Sequence, residues 1–569
     1  MTSESSSRPL SDRPWLHAYA DGVPHDIAPV DETLVGMLEA SVARYGRDVA
    51  LEFFGAETTY AELGDDVSRA ANALRRLGVA AGDRVALVLP NCPQHVVAFY
   101  AALRLGAIVV EHNPLYTARE LRHQFEVHEA VVAIVWDKVA DVVADFPSDI
   151  APAAIVAVDM TDAMPWTTRA ALRLPVARAR ESRAALTAAP KAKGVIEWAR
   201  FVSARRLPRR HPAPALDDIA LLQLTSGTTG APKAAILTHR NLRSNAAQGR
   251  AWVPGLHEGE ETFYAVLPMF HAYGLTLCLT FAVSIGARVV LFPRFDVDLV
   301  VAAARTSPPT FLPGVPPMYD ALARATRRKG VDLSSIRFAI SGAMSLPVAT
   351  VARWEEATGG LLVEGYGMTE TSPVALGNPI GPSRRPGTVG VPFPSTEIRV
   401  VDPDDPSVDR ALGEAGELLV RGPQVFRGYW ARPDETAAVL LADGWLRTGD
   451  IVTVSADGFV SVVDRVKELI ITGGFNVSPS EVESVLLQHP DVSEAAVVGA
   501  PRPSGGEDVV AAVVLRDGAA FDAAALREFC RNQLTAYKVP KRIVEVDDLP
   551  RSLIGKVLRR QVRERLLAR

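Results

Sequence analysis

Short β-rich runs alternate with helical patterns along this 569-residue chain, and the alternation predicts an α/β fold. The runs 85–89 and 107–111 are two of the strand candidates. The last hundred or so residues have the pattern of a compact α+β unit of their own. At roughly 150 residues per domain, the length suggests about three or four domains, although one large α/β domain could account for several of them.

Composition and charge exclude several classes of protein. The chain has 61 Lys and Arg against 66 Asp and Glu, a net charge of −5, which argues against a nucleic-acid-binding protein held by bulk positive charge. With 48% hydrophobic and 22% charged residues, the chain is typical of a globular protein. Cys92, Cys278 and Cys530 lack the paired spacing of a disulfide framework or a zinc site. A reduced, cytoplasmic protein is favoured.

No segment has the pattern of a targeting signal or a membrane span. Residues 1–26 are polar, with an acidic residue near the start and no apolar stretch after it, so we expect a flexible tail rather than a signal peptide. The longest apolar run, 275–292, is interrupted by Thr, Ser, Gly and Arg, which is typical of a buried helix followed by a strand.

A basic insertion covers about 159–214. Between residues 169 and 210, twelve Lys and Arg face only Glu181 and Glu197. The apolar residues interleaved with this basic stretch are Trp166, Leu172, Leu174, Leu186 and Trp198. This composition fits two interpretations. The segment either rests on the anionic inner face of a membrane or forms a solvated linker helix.

The chain from 465 to 569 is predicted to be a small domain. Ser478-Pro-Ser-Glu481 has the form of a capping box, with Ser478 at the N-cap and Glu481 reaching back to its backbone. Two β-rich runs, an Ala-rich helix, a further strand and a basic helix then follow, at 495–498, 509–515, 521–534, 542–546 and the C-terminus. The preceding chain, 27–464, is predicted to form the large domain.

The strongest local signal is the segment 225–233, Thr-Ser-Gly-Thr-Thr-Gly-Ala-Pro-Lys, between two strand candidates. Glycines let backbone amides approach phosphate oxygens, hydroxyl groups donate to those oxygens, and a lysine adds positive charge. The residues are Thr225, Ser226, Gly227, Thr228, Thr229, Gly230 and Lys233. Because Pro232 and Ala234 flank the lysine, this is not a Walker A loop.

A second cluster, Glu-Gly-Tyr-Gly-Met-Thr-Glu at 364–370, follows another strand candidate. The glycines beside Tyr366 would let its ring lie flat on a purine, and Thr369 and Glu370 supply oxygens suited to Mg²⁺. Farther along, Asp450 could accept both hydroxyls of a ribose. Taken singly, such residues also fit structural roles: Asp450 as a turn cap, Tyr366 as a core side chain, and Arg465 as a surface charge.

Other catalytic patterns are disfavoured. Gly365-Tyr-Gly367 lacks the third glycine of a dinucleotide fingerprint, and the chain has no G-x-S-x-G elbow of an α/β-hydrolase. His17 and Asp21 have the spacing of some acyltransferases, but they lie in the polar N-terminal segment.

Taken together and in this order, the motifs resemble the adenylate-forming superfamily of acyl-CoA synthetases, firefly luciferases and peptide-synthetase adenylation domains. The resemblance runs from about Thr59 to the C-terminus and includes the segments 82–91, 267–274, 387–392, 416–422, 464–470 and 550–556. Segment 113–120 and the basic insertion look most like long-chain or medium-chain fatty-acid–CoA ligases. The fold implied is a large multi-layered N-terminal domain with α/β sheets and a β-barrel-like subdomain, followed by a small mobile α+β domain.

The resemblance implies a two-step reaction. ATP and a carboxylate, here a fatty acid, give an acyl-adenylate and pyrophosphate, and the thiol of coenzyme A then displaces AMP. Lys556, Glu370, Thr225 and His271 are the implied catalytic residues, with Thr225 and Glu370 binding Mg²⁺. The implied nucleotide-binding residues are Thr225 to Gly230, Lys233, Gly342, Ala343, Glu364, Gly365, Tyr366, Gly367, Met368, Thr369, Asp450, Arg465 and Lys556.

The acyl group and coenzyme A have implied sites of their own. His271, Ala272, Val315, Ala339 and Gly367 would border the acyl group, while Gly473 and Gly474 would admit the pantetheine arm after the small domain rotates about Lys467. One departure from many relatives is Ile554, where a small polar residue is usual.

Three other functions stay open at this stage. They are a CoA ligase for aryl or cyclic carboxylates, an acyl-AMP ligase that passes the acyl group to a carrier protein, and a lipid-binding scaffold on a degenerate ligase fold. The sequence does not fix the acyl chain length or the oligomeric state, and no nucleic-acid partner is expected.

Overall fold

The computed structural model describes residues 10–225, 232–465, 468–472, 475–502, 507–552 and 555–568. The strands are β1 Val49–Phe53, β2 Ala56–Thr59, β3 Arg84–Val88, β4 Ile108–Glu111, β5 Val132–Trp136, β6 Ala154–Val158, β7 Ile196–Glu197, β8 Ile219–Thr225, β9 Lys233–Thr238, β10 Thr262–Ala265, β11 Arg288–Leu291, β12 Phe311–Gly314, β13 Phe338–Ser341, β14 Leu361–Gly367, β15 Val374–Gly377, β16 Val391–Pro392, β17 Glu397–Val401, β18 Gly416–Arg421, β19 Leu446–Val454, β20 Val460–Arg465, β21 Ile470–Thr472, β22 Phe475–Val477, β23 Val492–Pro501, β24 Glu507–Leu515 and β25 Arg542–Glu545.

The helices lie between these strands. They are α1 Leu34–Tyr45, α2 Tyr60–Arg76, α3 Pro93–Arg104, α4 Ala118–Phe125, α5 Ala140–Ala144, α6 Trp166–Ala171, α7 Ala177–Leu186, α8 Trp198–Phe201, α9 His239–Trp252, α10 Ala272–Gly274, α11 Phe281–Ser284, α12 Val297–Ala304, α13 Pro316–Lys329, α14 Val348–Thr358, α15 Pro433–Ala437, α16 Pro479–Leu486, α17 Ala523–Arg531 and α18 Arg559–Leu567.

Two large sheets confirm the predicted α/β fold. One has nine strands in the order β16-β15-β14-β13-β12-β10-β11-β1-β2, and the other has seven in the order β7-β6-β5-β3-β4-β8-β9. Inner strands pair in parallel, whereas antiparallel pairs lie at the edges, such as β8 with β9. Parallel strands are covered on both faces, which explains the continuous apolar run at 85–89.

Two smaller units follow in the chain. The first is the four-stranded antiparallel sheet β17-β18-β19-β20. The resemblance had implied a β-barrel-like subdomain in the large domain without giving its position. The second, from β21 to α18, has the predicted mixture of helices with strands, and its buried side chains form two clusters drawn from residues 470–566 alone. The domain limits at 464 and 465 stay a prediction, and the proposed hinge, Lys467, lies outside the described residues.

The predicted capping box forms only in part. The Ser478 hydroxyl accepts from the backbone N–H of Glu481 at the start of α16. The Glu481 carboxylate, however, pairs with the ammonium of Lys538 at 2.7 Å instead of reaching back to the N-cap backbone. A nearby cation therefore holds this side chain, and the sequence pattern around 478–481 could not reveal it.

The apolar run 275–292 is the expected buried helix followed by a strand. Its first part, Leu275–Thr280, is a π-helical turn between α10 and α11, and β11 follows. Such turns are rare in proteins and are frequent near functional sites. In the part of the chain that the model describes, no helix is long and apolar enough to cross a membrane.

The N-terminal segment differs from the expected flexible tail over residues 10–26. Trp15 is buried, and the ring of Tyr19 meets that of Trp252 edge-on with centroids 5.2 Å apart. The Tyr19 hydroxyl also donates to the backbone oxygen of Pro392 at 2.8 Å. Burial of these aromatic rings outweighs the polar composition of the segment, which had suggested a solvated tail.

Candidate active site

The candidate phosphate loop joins two paired strands. β8 ends at Thr225 and β9 begins at Lys233, and the two residues are partners in the antiparallel ladder. The Thr225 hydroxyl faces the backbone oxygen of Lys233 at 3.4 Å. The predicted residues between them, Ser226, Gly227, Thr228, Thr229 and Gly230, lie outside the described residues.

Lys233 is held at the base of this loop. Its ammonium forms an ion pair with the carboxylate of Glu435, in α15, and lies 5.1 Å from the ring centroid of Tyr429. A cation above an aromatic face is attracted by the ring quadrupole. The loop lysine is therefore fixed by two side chains that the motif does not contain.

Glu370 lies in a single 3₁₀ turn, Thr369–Thr371, that packs against β9. The carboxylate is buried, and the Tyr429 hydroxyl donates to its Oε1 at 2.6 Å. Burial and the neighbouring carboxylate raise the pKa of Tyr429, so this hydroxyl stays protonated and keeps donating. Among the described residues, the other carboxylate oxygen, Oε2, has no hydrogen-bond donor.

These features fit a hard divalent cation. A buried carboxylate whose Oε1 is oriented by a hydroxyl, and whose Oε2 has no donor in the described chain, is the kind of oxygen ligand that Mg²⁺ prefers. Thr225, the other candidate metal ligand, is the last residue of β8. This strand pairs with β9, against which the Glu370 turn packs.

The second cluster is part of β14, which extends from Leu361 through Gly367. The Tyr366 hydroxyl donates to Oδ2 of Asp450 at 2.6 Å, across 84 positions of sequence. Asp450 in turn is the ladder partner of Arg465 in the pair β19–β20. The structure thus brings the purine and ribose candidates together.

Two glycines of the predicted set are required by close contacts. A Cβ on Gly367 would lie 1.8 Å from the backbone oxygen of Pro373, and one on Gly342 would lie 2.9 Å from the Tyr273 ring. The next residue, Ala343, has φ of +67°, a left-handed conformation that is uncommon for a residue with a Cβ. Strained backbone of this kind clusters at functional sites.

Glu364 is a buried carboxyl group at the start of this cluster. Burial raises its pKa to about 8, although the backbone N–H of Leu346 donates to it and opposes the shift. Much of this group is therefore protonated at neutral pH, so that it can donate a hydrogen bond as well as accept one.

The predicted acyl-site residues do not share one surface. His271 caps α10 through Nδ1, which accepts from the backbone N–H of Tyr273 at 3.3 Å, and burial lowers its pKa to about 4. Val315 packs in the main core cluster, whereas Ala339 packs in a second cluster with Leu312. Because successive strand residues face opposite sides of a sheet, Ala339 lies on the other face from Ile340, which shares the cluster of Val315.

Lys556 lies on a turn of the small unit that touches the large one. Its backbone N–H donates to the Ser552 hydroxyl at 3.2 Å, and the backbone oxygen of Lys556 accepts from Ser552 N–H at 2.8 Å. A Cβ on Gly555 would lie 3.6 Å from Sδ of Met344, directly after Ala343. The lysine turn therefore lies close to the loop that carries the purine candidates.

Residues beside the hinge candidate form an ion cluster that sequence patterns missed. The Arg559 guanidinium pairs with Glu483 at 2.6 Å and with Glu468, and Asp464 lies 3.9 Å away. Nearby carboxylates outweigh burial and raise the pKa of Arg559. The candidates Lys467, Gly473 and Gly474 lie outside the described residues, as does the side chain of Arg465.

Tyr429, Glu435 and Arg559 were thus absent from the predicted site. The aromatic pair after Gly428 could have drawn attention to Tyr429, and Arg559 follows Lys556 by three positions. Nothing in the sequence around Glu435 distinguishes it from other surface acids.

Comparisons with known proteins agree with this geometry. The family model described as AMP-binding enzyme matches residues 38–430, and the model for the AMP-binding enzyme C-terminal domain matches residues 481–556. A long-chain-fatty-acid–CoA ligase from Bacillus subtilis is 37% identical over 97% of this chain and 98% of its own length. A ligase of the same name from Escherichia coli O157:H7 is 39% identical over 97% of this chain and 98% of its own.

Solved structures give the same result. ATP-bound MatB from Rhodopseudomonas palustris is 30% identical, with a TM-score of 0.79, over 94% of this chain and 98% of its own. An anthranilate CoA ligase in complex with anthranoyl-AMP is 27% identical, with a TM-score of 0.80, over 95% of this chain and 99% of its own. The chain therefore belongs to the AMP-binding enzyme family.

Proposed function

We propose that this protein is a long-chain-fatty-acid–CoA ligase that uses ATP, Mg²⁺ and coenzyme A and releases AMP and pyrophosphate. The curated relatives with this name align over nearly the whole chain, so the similarity includes both the large and the small unit. Enzymes of this kind are AMP-forming acid–thiol ligases, which makes a non-catalytic scaffold the weakest of the earlier alternatives.

In the first step, a fatty-acid carboxylate attacks the α-phosphorus of ATP, and negative charge builds up on the departing pyrophosphate. We assign Lys556 to stabilise that charge, because a fixed cation near developing charge lowers the barrier. Glu370 and Thr225 would hold Mg²⁺, which when bound neutralises phosphate charge. Tyr429 would keep the Glu370 carboxylate oriented.

The same proposal assigns the remaining nucleotide contacts. Tyr366, Gly342 and Ala343 would cover the purine, and Asp450 would accept the ribose hydroxyls. The hydrogen bond that Tyr366 donates to Asp450 fixes the Asp450 carboxylate relative to the Tyr366 ring. The observation that supports the assignment most is the closeness of the Lys556 turn to Met344, because the first step needs the lysine and the nucleotide at one site.

In the second step, the thiol of coenzyme A attacks the acyl carbonyl and AMP leaves. We propose that the small unit then turns about Lys467 and presents the segment with Gly473 and Gly474, where small residues let the thiol pass close to the backbone. The Arg559 cluster would have to rearrange in this motion, because Asp464 and Glu468 lie on either side of the hinge.

An aryl acid is the second candidate substrate. A feruloyl-CoA synthase from Amycolatopsis is 37% identical over 91% of this chain and 95% of its own, and one similar structure is the anthranilate CoA ligase. Delivery of the acyl group to a carrier protein remains a third candidate.

The test measures AMP formation over straight-chain acids from short to long, with ferulate included, each with and without coenzyme A. Each methylene group buried in an apolar site contributes up to about 0.8 kcal/mol, or roughly fourfold in kcat/KM. We expect a steep rise with chain length, a cutoff, and dependence on coenzyme A. A flat alkyl response with a preference for ferulate would overturn the substrate assignment.

We also propose that the protein works at the inner face of a membrane, with the basic insertion as the contact. The twelve Lys and Arg between residues 169 and 210 support such a contact.

A further inference from the structure

One surface of the basic insertion exposes large apolar side chains. This surface, here called the insertion surface, comprises α6, α7 and the connection 172–176. The Trp166 side chain is 79% exposed, the highest value for a large hydrophobic residue in the described chain, and Leu174 and Val176 are 54% and 52% exposed. Neither α6 nor α7 contains a buried residue.

Arginines lie close to these apolar residues in the sequence. Arg173, Arg178, Arg180 and Arg183 are exposed, and none of them forms an ion pair with another described residue. Glu181 is the only acidic residue between 173 and 186, so this stretch has a net charge of +3 within a chain of −5. The local positive charge of this stretch attracts anions although the whole chain carries a net negative charge.

The insertion surface is attached firmly at one end. The Trp136 indole N–H donates to the backbone oxygen of Leu186 at 2.8 Å, and Lys138 donates to that of Ala184 at 2.7 Å. The hydroxyl of Thr187 donates to Asp137. The end of α7 is thus bound to the segment after β5, while the rest of the helix faces outward.

A solvated linker accounts for the arginines but not for Trp166, Leu174 and Val176. Exposure of a tryptophan side chain to water is unfavourable. Trp166 fills no core position, so the fold of this segment does not explain why a tryptophan is present. Exposed aromatic and aliphatic side chains among arginines are instead the composition of a surface that lies at a lipid interface.

We propose that the insertion surface docks on an anionic phospholipid bilayer. The guanidinium groups pair with lipid phosphates, Trp166 occupies the headgroup level, and Leu174 and Val176 enter the acyl boundary. This contact would let the protein capture a fatty acid dissolved in the membrane, and that role rests on the proposed fatty-acid substrate. The docking itself does not depend on the substrate.

The test is sedimentation of the full-length protein with vesicles of phosphatidylcholine alone or of phosphatidylcholine with phosphatidylglycerol. We expect binding to the anionic vesicles that falls as salt is added. Replacing Arg173, Arg178, Arg180 and Arg183 with Gln should lower the partition coefficient by about fivefold per arginine. Trp166→Ala should lower it by roughly tenfold.

A matched control separates the surface from bulk charge. Arg200, Arg205, Arg209 and Arg210 are also exposed arginines of the insertion but lie outside the insertion surface. Their replacement with Gln should leave vesicle binding within about twofold of the unmodified protein. Equal losses in both four-arginine variants, or no binding to anionic vesicles at low salt, would overturn the proposal.

Turnover of octanoate without vesicles distinguishes this proposal from the proposed function. The four-arginine variant of the insertion surface should form octanoyl-CoA at the unmodified rate. If the unmodified protein binds anionic vesicles but activates no fatty acid, docking stands and the proposed function fails. If it activates fatty acids but ignores the vesicles, docking fails alone.

Discussion

In the candidate active site the polar side chains are buried and paired, whereas on the insertion surface the apolar side chains are exposed and the charges face solvent. Glu370 and Asp450 are 8% and 4% exposed, and each accepts a hydrogen bond from a tyrosine. Trp166, by contrast, is 79% exposed. Each region departs from the usual rule of apolar inside and polar outside, and each departure supports one of the two proposals.

The two departures have different energetic consequences. A buried carboxylate without a partner costs several kcal/mol, so the tyrosines that hold Glu370 and Asp450 are part of the site. An exposed arginine costs little, and its contribution depends on salt. Substitutions in the first region should therefore change the chemistry, and those in the second should change membrane partition alone.

The largest expected effect is that of Lys556→Ala. The variant should lose about 10²-fold or more in acyl-adenylate formation, because it lacks the side chain assigned to stabilise the charge that builds up on the leaving pyrophosphate. Thioester formation from supplied acyl-adenylate and coenzyme A should change little. Rapid-quench measurement of the two half-reactions checks this expectation.

The control for this variant is Lys541→Ala, which removes an exposed lysine of the same small unit. It should retain both half-reactions. Adenylate formation by Lys556→Ala at the unmodified rate would remove the lysine from the proposed mechanism.

A smaller effect is expected for Tyr429→Phe. Loss of its hydroxyl leaves the Glu370 carboxylate without its described donor, and loss of a group that orients a metal ligand typically weakens metal affinity 10-fold to 100-fold. We expect the Mg²⁺ concentration for half-maximal activity, and the Kd for Mg²⁺ measured calorimetrically with a non-hydrolysable ATP analogue, to rise by about tenfold.

Tyr45→Phe is the matched control for that measurement. It also deletes a tyrosine hydroxyl that donates to a glutamate, Glu258, at 3.2 Å, but this pair lies on α1 and the loop before β10. An equal shift in both variants would mean that the Tyr429 bond is structural only.

Sequence patterns predicted the elements that carry the site better than the contacts within it. The strand before Ser226 and the helix that begins at Pro479 lie where the patterns placed them, because local spacing and turn residues determine such elements. The strand expected to end before Glu364 instead continues through Gly367. The motifs also placed Tyr366 and Asp450 in one functional set, and the structure joins them by a hydrogen bond.

The partners of these residues come from distant chain positions. Tyr429 lies 59 residues after Glu370, and Arg559 lies 76 residues after Glu483. No short-range pattern encodes such pairs, since they result from tertiary packing. For the same reason Val315 and Ala339, both apolar and both near strand ends, were assigned to one pocket although they pack on opposite faces of a sheet.

The most direct test of the proposed chemistry is exchange of labelled pyrophosphate into ATP, with hexadecanoate and Mg²⁺ present and coenzyme A omitted. Reversible formation of an acyl-adenylate predicts exchange that depends on the fatty acid and stops when the acid is left out. Formation of acyl-CoA without any such exchange would contradict the acyl-adenylate route on which the assigned site depends.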